Sequence, residues 1–209
     1  MLIRKENIDD ESVLGVWEIT ESKEELLALF PDTLKMKAEN HVAKIRSEKR
    51  AAEWLSVRLM LFLLLQEEKI VYHRTDGRPY LSDDSFNVSI SHTKAHAAVL
   101  LHKSKNVGID IEETSDRVHK VAGKFISDDE YIHEPAKNAH LLLHWSAKET
   151  MFKLLSESEI DFKQHLHLEK FIPQEKGVIT AHETRSASRH RFNINYEVHP
   201  EYVLTWAIN

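Results

Sequence analysis

Five charged side chains in two short stretches have the types and spacing to do chemistry together. In VGIDIE (107–112), Asp110 and Glu112 occupy alternate positions, and a strand sends residues i and i+2 to the same face. Two carboxylates side by side repel unless something positive lies between them. In LLLHWSAKETMFKLL (141–155), Lys148, Glu149 and Lys153 follow a tryptophan on a largely apolar helix. Glu149 precedes Lys153 by four residues, the favourable order for an intrahelical ion pair. Beside the acidic strand a second role opens, with Glu149 as a third carboxylate for a hard divalent cation and Lys148 and Lys153 facing phosphate oxygens. Magnesium takes oxygen ligands at about 2.0–2.1 Å, usually one or two carboxylates with phosphates and water. Three acids, two lysines and no thiolate match that preference better than they match zinc. The alternative is a solvated strand face and a Glu–Lys pair that stabilises its helix by a few tenths of a kcal/mol.

The elements that must position these groups follow from apolar periodicity. Residues 12–19 read as a first strand and 21–30 as a short helix opening with acids. From about Lys35 to Glu68 one long helix is expected, with Trp54, Leu55, Arg58, Leu59, Phe62 and Leu63 at spacings of three and four. Its apolar stripe, Trp54 included, reads as core. IVYH (70–73) is a strand, and TDGRPYLSD (75–83) a turn-rich connection. FNVSIS (86–91) and HAAVLLH (96–102) form a hairpin, and 107–112 a third strand with Ile109 and Ile111 turned away from the acids. SDDEYIHE (127–134) carries a Ser N-cap and first-turn acids, which predicts a short helix before the longer one at 138–155. Strand-like segments fill the remainder. Strand, helices and a cluster of strands thus occur twice, with a seam near 103–106. The fold class is α+β (α/β), a pseudo-two-fold pair of similar subdomains, each a small, mostly antiparallel sheet packed with a long helix.

Composition narrows the function. With 209 residues, 42% hydrophobic and 30% charged, the chain is long enough to bury a true core. A formal charge of −6 argues against nucleic-acid binding, which needs a basic face. There is no cysteine, so disulfides and thiolate metal sites are excluded. The first residues lack an apolar signal-peptide core, and LMLFLLL (59–65) falls far short of the roughly 20 residues of a membrane span. The expectation is a cytoplasmic monomer that meets neither membrane nor nucleic acid. Fourteen histidines are scattered without a metal-binding spacing, and neither a P-loop nor GxSxG is present.

Taken in order, NVSISHT (87–93), VGIDIE (107–112) and WSAKETMFK (145–153) resemble the 4'-phosphopantetheinyl transferase superfamily, in its monomeric two-half, surfactin-synthetase-activating type. GRPYL (77–81) and KFISDDEY (124–131) add to the likeness, which covers roughly 48–155. The resemblance implies transfer of 4'-phosphopantetheine from coenzyme A to a serine of an acyl or peptidyl carrier protein, releasing adenosine 3',5'-bisphosphate. It implies Mg²⁺, with Mn²⁺ an alternative, held with the coenzyme A pyrophosphate by Asp110, Glu112 and Glu149. Glu149, or a water it orients, would take the serine proton, and Lys153 would neutralise the leaving phosphate. Ser91 and His92 would contact the 3'-phosphate region, and Arg78 the adenosine end. Lys148 would assist with phosphates or an acidic carrier, and Arg50 and Arg58 are further candidates for coenzyme A phosphates. The division implied is 1–103 for the adenosine and 3'-phosphate contacts and 104–209 for metal and catalysis, with the active site at their interface. The basic run KMKAENHVAKIRSEKR (35–50) is the best local candidate for carrier docking. Two rivals remain, a non-catalytic coenzyme A or carrier-binding module and a metal-dependent phosphohydrolase.

Overall fold

The computed structural model describes residues 1–155 and 159–209. The chain forms two compact units, Met1–Ser104 and Lys105–Asn209. Both are α+β, with an antiparallel sheet and one 18-residue helix as the main packing partners.

The first unit runs β1 (Leu2–Asp9), β2 (Ser12–Glu18), α1 (Lys23–Ala28), α2 (Asp32–Val42), α3 (Glu48–Leu65), β3 (Val71–His73), β4 (Pro79–Leu81), β5 (Asn87–His92) and β6 (His96–His102). Its main sheet has the order β1-β2-β6-β5. Alternation along β2 and β6 places Val13, Trp17, Ala97, Val99 and Leu101 in one cluster with Leu55, Leu59 and Leu64 of α3. Gly15 on β2 permits this contact, because a Cβ there would stand 2.9 Å from Met60 Sδ and 3.0 Å from a Leu64 methyl.

The single helix expected over 35–68 is two. Ser47 interrupts it: its Oγ accepts from the Arg50 N–H at 3.3 Å and caps a new helix, as serine does where four amides lack helical partners. The connection 75–83 is also more ordered than expected, since β4 within it pairs with β3 in a separate hairpin. Gly77 turns that hairpin at φ +87°, a backbone that side chains other than glycine rarely adopt. β1 carries no sequence signal because LIRKENID is an edge strand, mostly exposed and richly charged.

The second unit runs β7 (Val107–Glu113), α4 (Arg117–Val121), α5 (Lys137–Leu154), α6 (Phe162–His165), β8 (Leu166–Leu168), β9 (Lys176–Glu183), β10 (Arg191–Val198) and β11 (Tyr202–Ile208). Its sheet order is β7-β11-β10-β9-β8. Leu142, Leu143, Ala147, Met151 and Leu154 of α5 share a core with Ile179, Phe192, Ile194, Tyr196 and Val203 of the sheet. No α-helix forms over 127–134, where only Glu134 enters a short 3₁₀ turn, Glu134–Ala136. Ser127 does donate its N–H to Glu130 Oε2 at 2.9 Å, as in a capping box. Its Oγ, however, donates to Asp129 Oδ1 at 2.7 Å rather than accepting the Glu130 N–H, and the same Glu130 oxygen also turns inward to Lys148. Among the described residues no helix is long and apolar enough to cross a membrane.

Candidate active site

The acidic strand and the charged helix meet at one face of the second sheet. Gly108, Asp110 and Glu112 alternate along β7 on the side that α5 covers, while Ile109 and Ile111 are buried on the other. A Cβ on Gly108 would lie 2.5 Å from the Thr150 carbonyl oxygen, so the helix backbone rests directly on the strand beside Asp110. The neighbouring contacts are small and polar. Thr205, paired with Asp110 across the ladder, has its Oγ1 2.7 Å from Thr150 Oγ1 and 2.9 Å from Ser146 Oγ.

Trp145, Glu149 and Lys153 follow one another at helical spacing on α5. The Trp145 indole donates to Glu112 Oε1 at 2.7 Å, and its ring packs 5.2 Å from Phe125 and 5.6 Å from Phe162. Lys153 Nζ donates to Asp110 Oδ1 at 2.9 Å and to the Ile109 carbonyl at 2.8 Å. The lysine therefore bridges to the strand, and no intrahelical Glu149–Lys153 ion pair forms among the described residues. Burial and then repulsion from Asp110 push the Glu149 carboxyl up to about 7, against the pull of Lys153. Burial likewise pushes Glu112 to about 7, with repulsion from Asp110 and Glu149 outweighing the Trp145 hydrogen bond and Lys153. The three acids thus feel one another's charge with one ammonium among them.

That excess of buried carboxylate, all oxygen donors, fits a hard divalent cation in charge and donor type. The oxygens are not gathered as a finished ligand set: among the described residues no group of three His, Cys, Asp or Glu is so arranged. Asp110 is engaged by Lys153 and Glu112 by Trp145. Asp110, Glu112 and Glu149 are the residues that would hold such a cation.

Lys148 departs from its expected role. It is fully buried, and its ammonium donates to the Phe125 carbonyl at 2.5 Å, Glu130 Oε2 at 2.7 Å and the Phe162 carbonyl at 3.3 Å. With its three donors used and no surface exposed, it faces neither phosphate nor carrier.

Residues 106–207, nearly the whole of this second unit, match the family model described as the 4'-phosphopantetheinyl transferase superfamily. The C-terminal unit is similar to that superfamily. No curated protein matches the chain. Within the matched segment lie the acidic strand, α5 and the Glu130 turn, and with them Asp110, Glu112, Glu149 and Lys153.

The first unit has a cavity of about 730 Å³ between the start of α3, the segment before it and the end of β5. Lys44, Arg46, Arg50 and Arg58 line it with His73 and His92, against one acid, Glu53. Arg58 lies 4.3 Å from the Trp54 ring centre, and the opposing influence of burial lowers it only to about 10, so it stays cationic near neutrality. His41 stacks on the same indole at 4.1 Å. Trp54, expected as plain core, is half-buried and lines the cavity. His92 Nδ1 stands 3.5 Å from Glu53 Oε2. Ser91 parts from His92: alternation puts it on the other face of β5, away from the cavity-lining Ile90 and His92. Arg78 is at the β3–β4 turn, 3.4 Å from Asp76, and is not among the lining residues. Among the lining residues are Arg50, Arg58 and His92, expected near coenzyme A, Lys44 and Arg46, expected only within the basic run 35–50, and His73, which carries no sequence signal.

Proposed function

We propose that the chain transfers 4'-phosphopantetheine from coenzyme A to the serine of an apo acyl or peptidyl carrier protein, with Mg²⁺ or Mn²⁺ held by Asp110, Glu112 and Glu149. The observation that carries this reading is the meeting of three mutually repelling carboxylates with Lys153 inside the superfamily segment. When bound, the cation would offset charge on the pyrophosphate and so lower its repulsion of the nucleophile. Glu149, held near 7, suits proton removal from a serine hydroxyl at neutral pH, directly or through water. The serine oxygen then bonds to the phosphorus bearing the pantetheine arm, the bond to adenosine 3',5'-bisphosphate breaks, and Lys153 balances the leaving charge. The cationic cavity of the first unit, with Arg50, Arg58 and His92, is assigned to the phosphorylated adenosine end; Lys44 and Arg46 join that set. The charge run at 35–50 contributes there through Lys44, Arg46 and Arg50, whereas Lys37 pairs with Glu68 at 2.6 Å.

Incubating the protein with coenzyme A, Mg²⁺ and an apo-carrier, then weighing the carrier, tests the proposal. The expected result is a gain of one phosphopantetheine, and a fall in rate of at least about 100-fold in Glu149→Gln, the lower end of what a general base contributes. Binding of coenzyme A without a mass gain would instead identify a non-catalytic module, and coenzyme A cleavage without carrier a phosphohydrolase.

A further inference from the structure

The Lys148–Glu130 pair is left without a part in the chemistry just described, yet it is the most enclosed ion pair of its kind. Its nitrogen and oxygen are 2.7 Å apart and the side chains are 0% and 2% exposed. The other Lys and Arg ion pairs among the described residues all have a more exposed partner. Every donor of the Lys148 ammonium is used, on the carbonyls of Phe125 and Phe162 and on Glu130. Glu130 is as fully engaged: Oε1 accepts the Leu168 N–H at 2.9 Å, Oε2 accepts the Ser127 N–H at 2.9 Å, and His144 Nδ1 stands 3.5 Å from Oε1. Through these two side chains α5 is fastened at one point to the 125–130 turn, to Phe162 at the start of α6, and to the edge strand β8.

A buried ion pair is a poor source of net stability, because desolvating both charges cancels most of their attraction. Its directional contacts do fix geometry. Lys148 adjoins Glu149 in sequence and lies about 100° around the helix from it. A helix whose Lys148 is held by three acceptors cannot roll or slide without breaking them. The same roll decides whether Trp145 reaches Glu112 and Lys153 reaches Asp110, contacts of 2.7 and 2.9 Å.

We propose that the buried Glu130–Lys148 pair is a positioning device for the carboxylate site, setting the roll and axial position of α5 so that Trp145, Glu149 and Lys153 face β7. Its catalytic consequence rests on the transferase reading above; its structural claim, that the pair sets α5 against β7, does not.

The test uses the full chain carrying Glu130→Gln with Lys148→Met, which removes both charges at similar volume and leaves neither partner buried alone. Three quantities are read: cooperative thermal unfolding, the Trp145 indole N–H resonance by NMR (identified by its loss in Trp145→Phe), and kcat with KM for coenzyme A. The expected result is a folded variant whose Trp145 resonance moves away from its hydrogen-bonded position. Its kcat drops by about 100-fold, the effect of misplacing reacting groups by about an ångström, while KM for coenzyme A stays within about threefold. Should the double variant not fold, Glu130→Gln alone is read by the same three quantities, with a smaller shift expected in the same directions. A folded variant that keeps both the Trp145 resonance and kcat of the parent overturns the proposal and leaves the pair a mere filler. If the parent chain itself transfers nothing, the transferase reading fails, and the Trp145 resonance alone decides the positioning claim.

Discussion

Glu112 and Glu149 have opposite demands placed on them by stability and by chemistry. Both are pushed to about 7 by burial and by neighbouring carboxylates, so each is ionised in the folded state at the expense of stability. The sign follows from proton linkage. A carboxyl raised in the folded state binds more protons there than in the unfolded chain between about pH 4.5 and 7, so stability falls as pH rises through that window. Below the unfolded value the penalty is absent, and above about 7 it is complete. Glu149→Gln should therefore stabilise the metal-free protein, by on the order of 2 kcal/mol at pH 8, with no advantage at pH 4. Denaturant unfolding in chelator at the two pH values measures this, and equal stabilisation at both would show that charge is not the cause. These residues were legible in the sequence because two short-range patterns, alternate acids and a Lys-Glu pair behind tryptophan, survive folding unchanged. Lys148 was not. Whether a lysine on an enclosed helix faces ligand or interior depends on Glu130, eighteen positions away, and nothing local encodes that partner.

Among the elements, the strand–helix contact at Gly108 decides how near α5 can bring its charges to Asp110. Gly108→Ala would thrust a methyl to 2.5 Å from the Thr150 carbonyl, and a backbone atom cannot step aside as a flexible side chain does. The helix must lift, costing about 1–3 kcal/mol, the usual range for overpacking. Gly123→Ala is the control, because a Cβ there meets nothing within 4 Å, and it should stay within about 0.5 kcal/mol of the parent. Comparing the two by thermal unfolding checks the claim; matching melting temperatures would mean that α5 does not press on β7 as described. Element types and the two-sheet layout were readable because 3.6-residue and alternating apolar patterns persist over most of each segment. The errors have local causes. Ser47 breaks a long apolar helix that periodicity alone would run together, although a serine before Glu48 is itself a start signal. Ser127 gives a false start because its hydroxyl is spent on the side chains of Asp129 and Glu130 and the Glu130 N–H goes to the Ser127 carbonyl, so only the carboxylate half of a capping box forms. Lys44 and Arg46, which line the cavity from the connection between α2 and α3, stand out in the sequence only as part of the basic run 35–50.

At the scale of the whole molecule, a net charge of −6 conceals a local reversal, since four permanent cations and one acid line the first unit's cavity. The carboxylate site lies wholly in the second unit, and the cationic cavity wholly in the first. Under the proposed function these regions act on different parts of coenzyme A: the cavity on affinity for its phosphorylated adenosine end, the carboxylates and Lys153 on the step that breaks the pyrophosphate. The division has a kinetic signature. Arg50→Ala should raise KM for coenzyme A about tenfold, as loss of a charge-assisted hydrogen bond does, with kcat little changed and the parent's KM more sensitive to salt than the variant's. Lys153→Ala should lower kcat with a smaller effect on KM, because its charge is needed as the leaving phosphate develops. Since the two side chains share no partner, the double variant's loss in kcat/KM should equal the product of the single losses, within the few tenths of a kcal/mol typical of independent sites. Steady-state kinetics on the parent, both single variants and the double variant decide it. A double variant no worse than Lys153→Ala would mean that cavity and carboxylates act as one inseparable unit, and the assignment of separate tasks to the two units would be wrong.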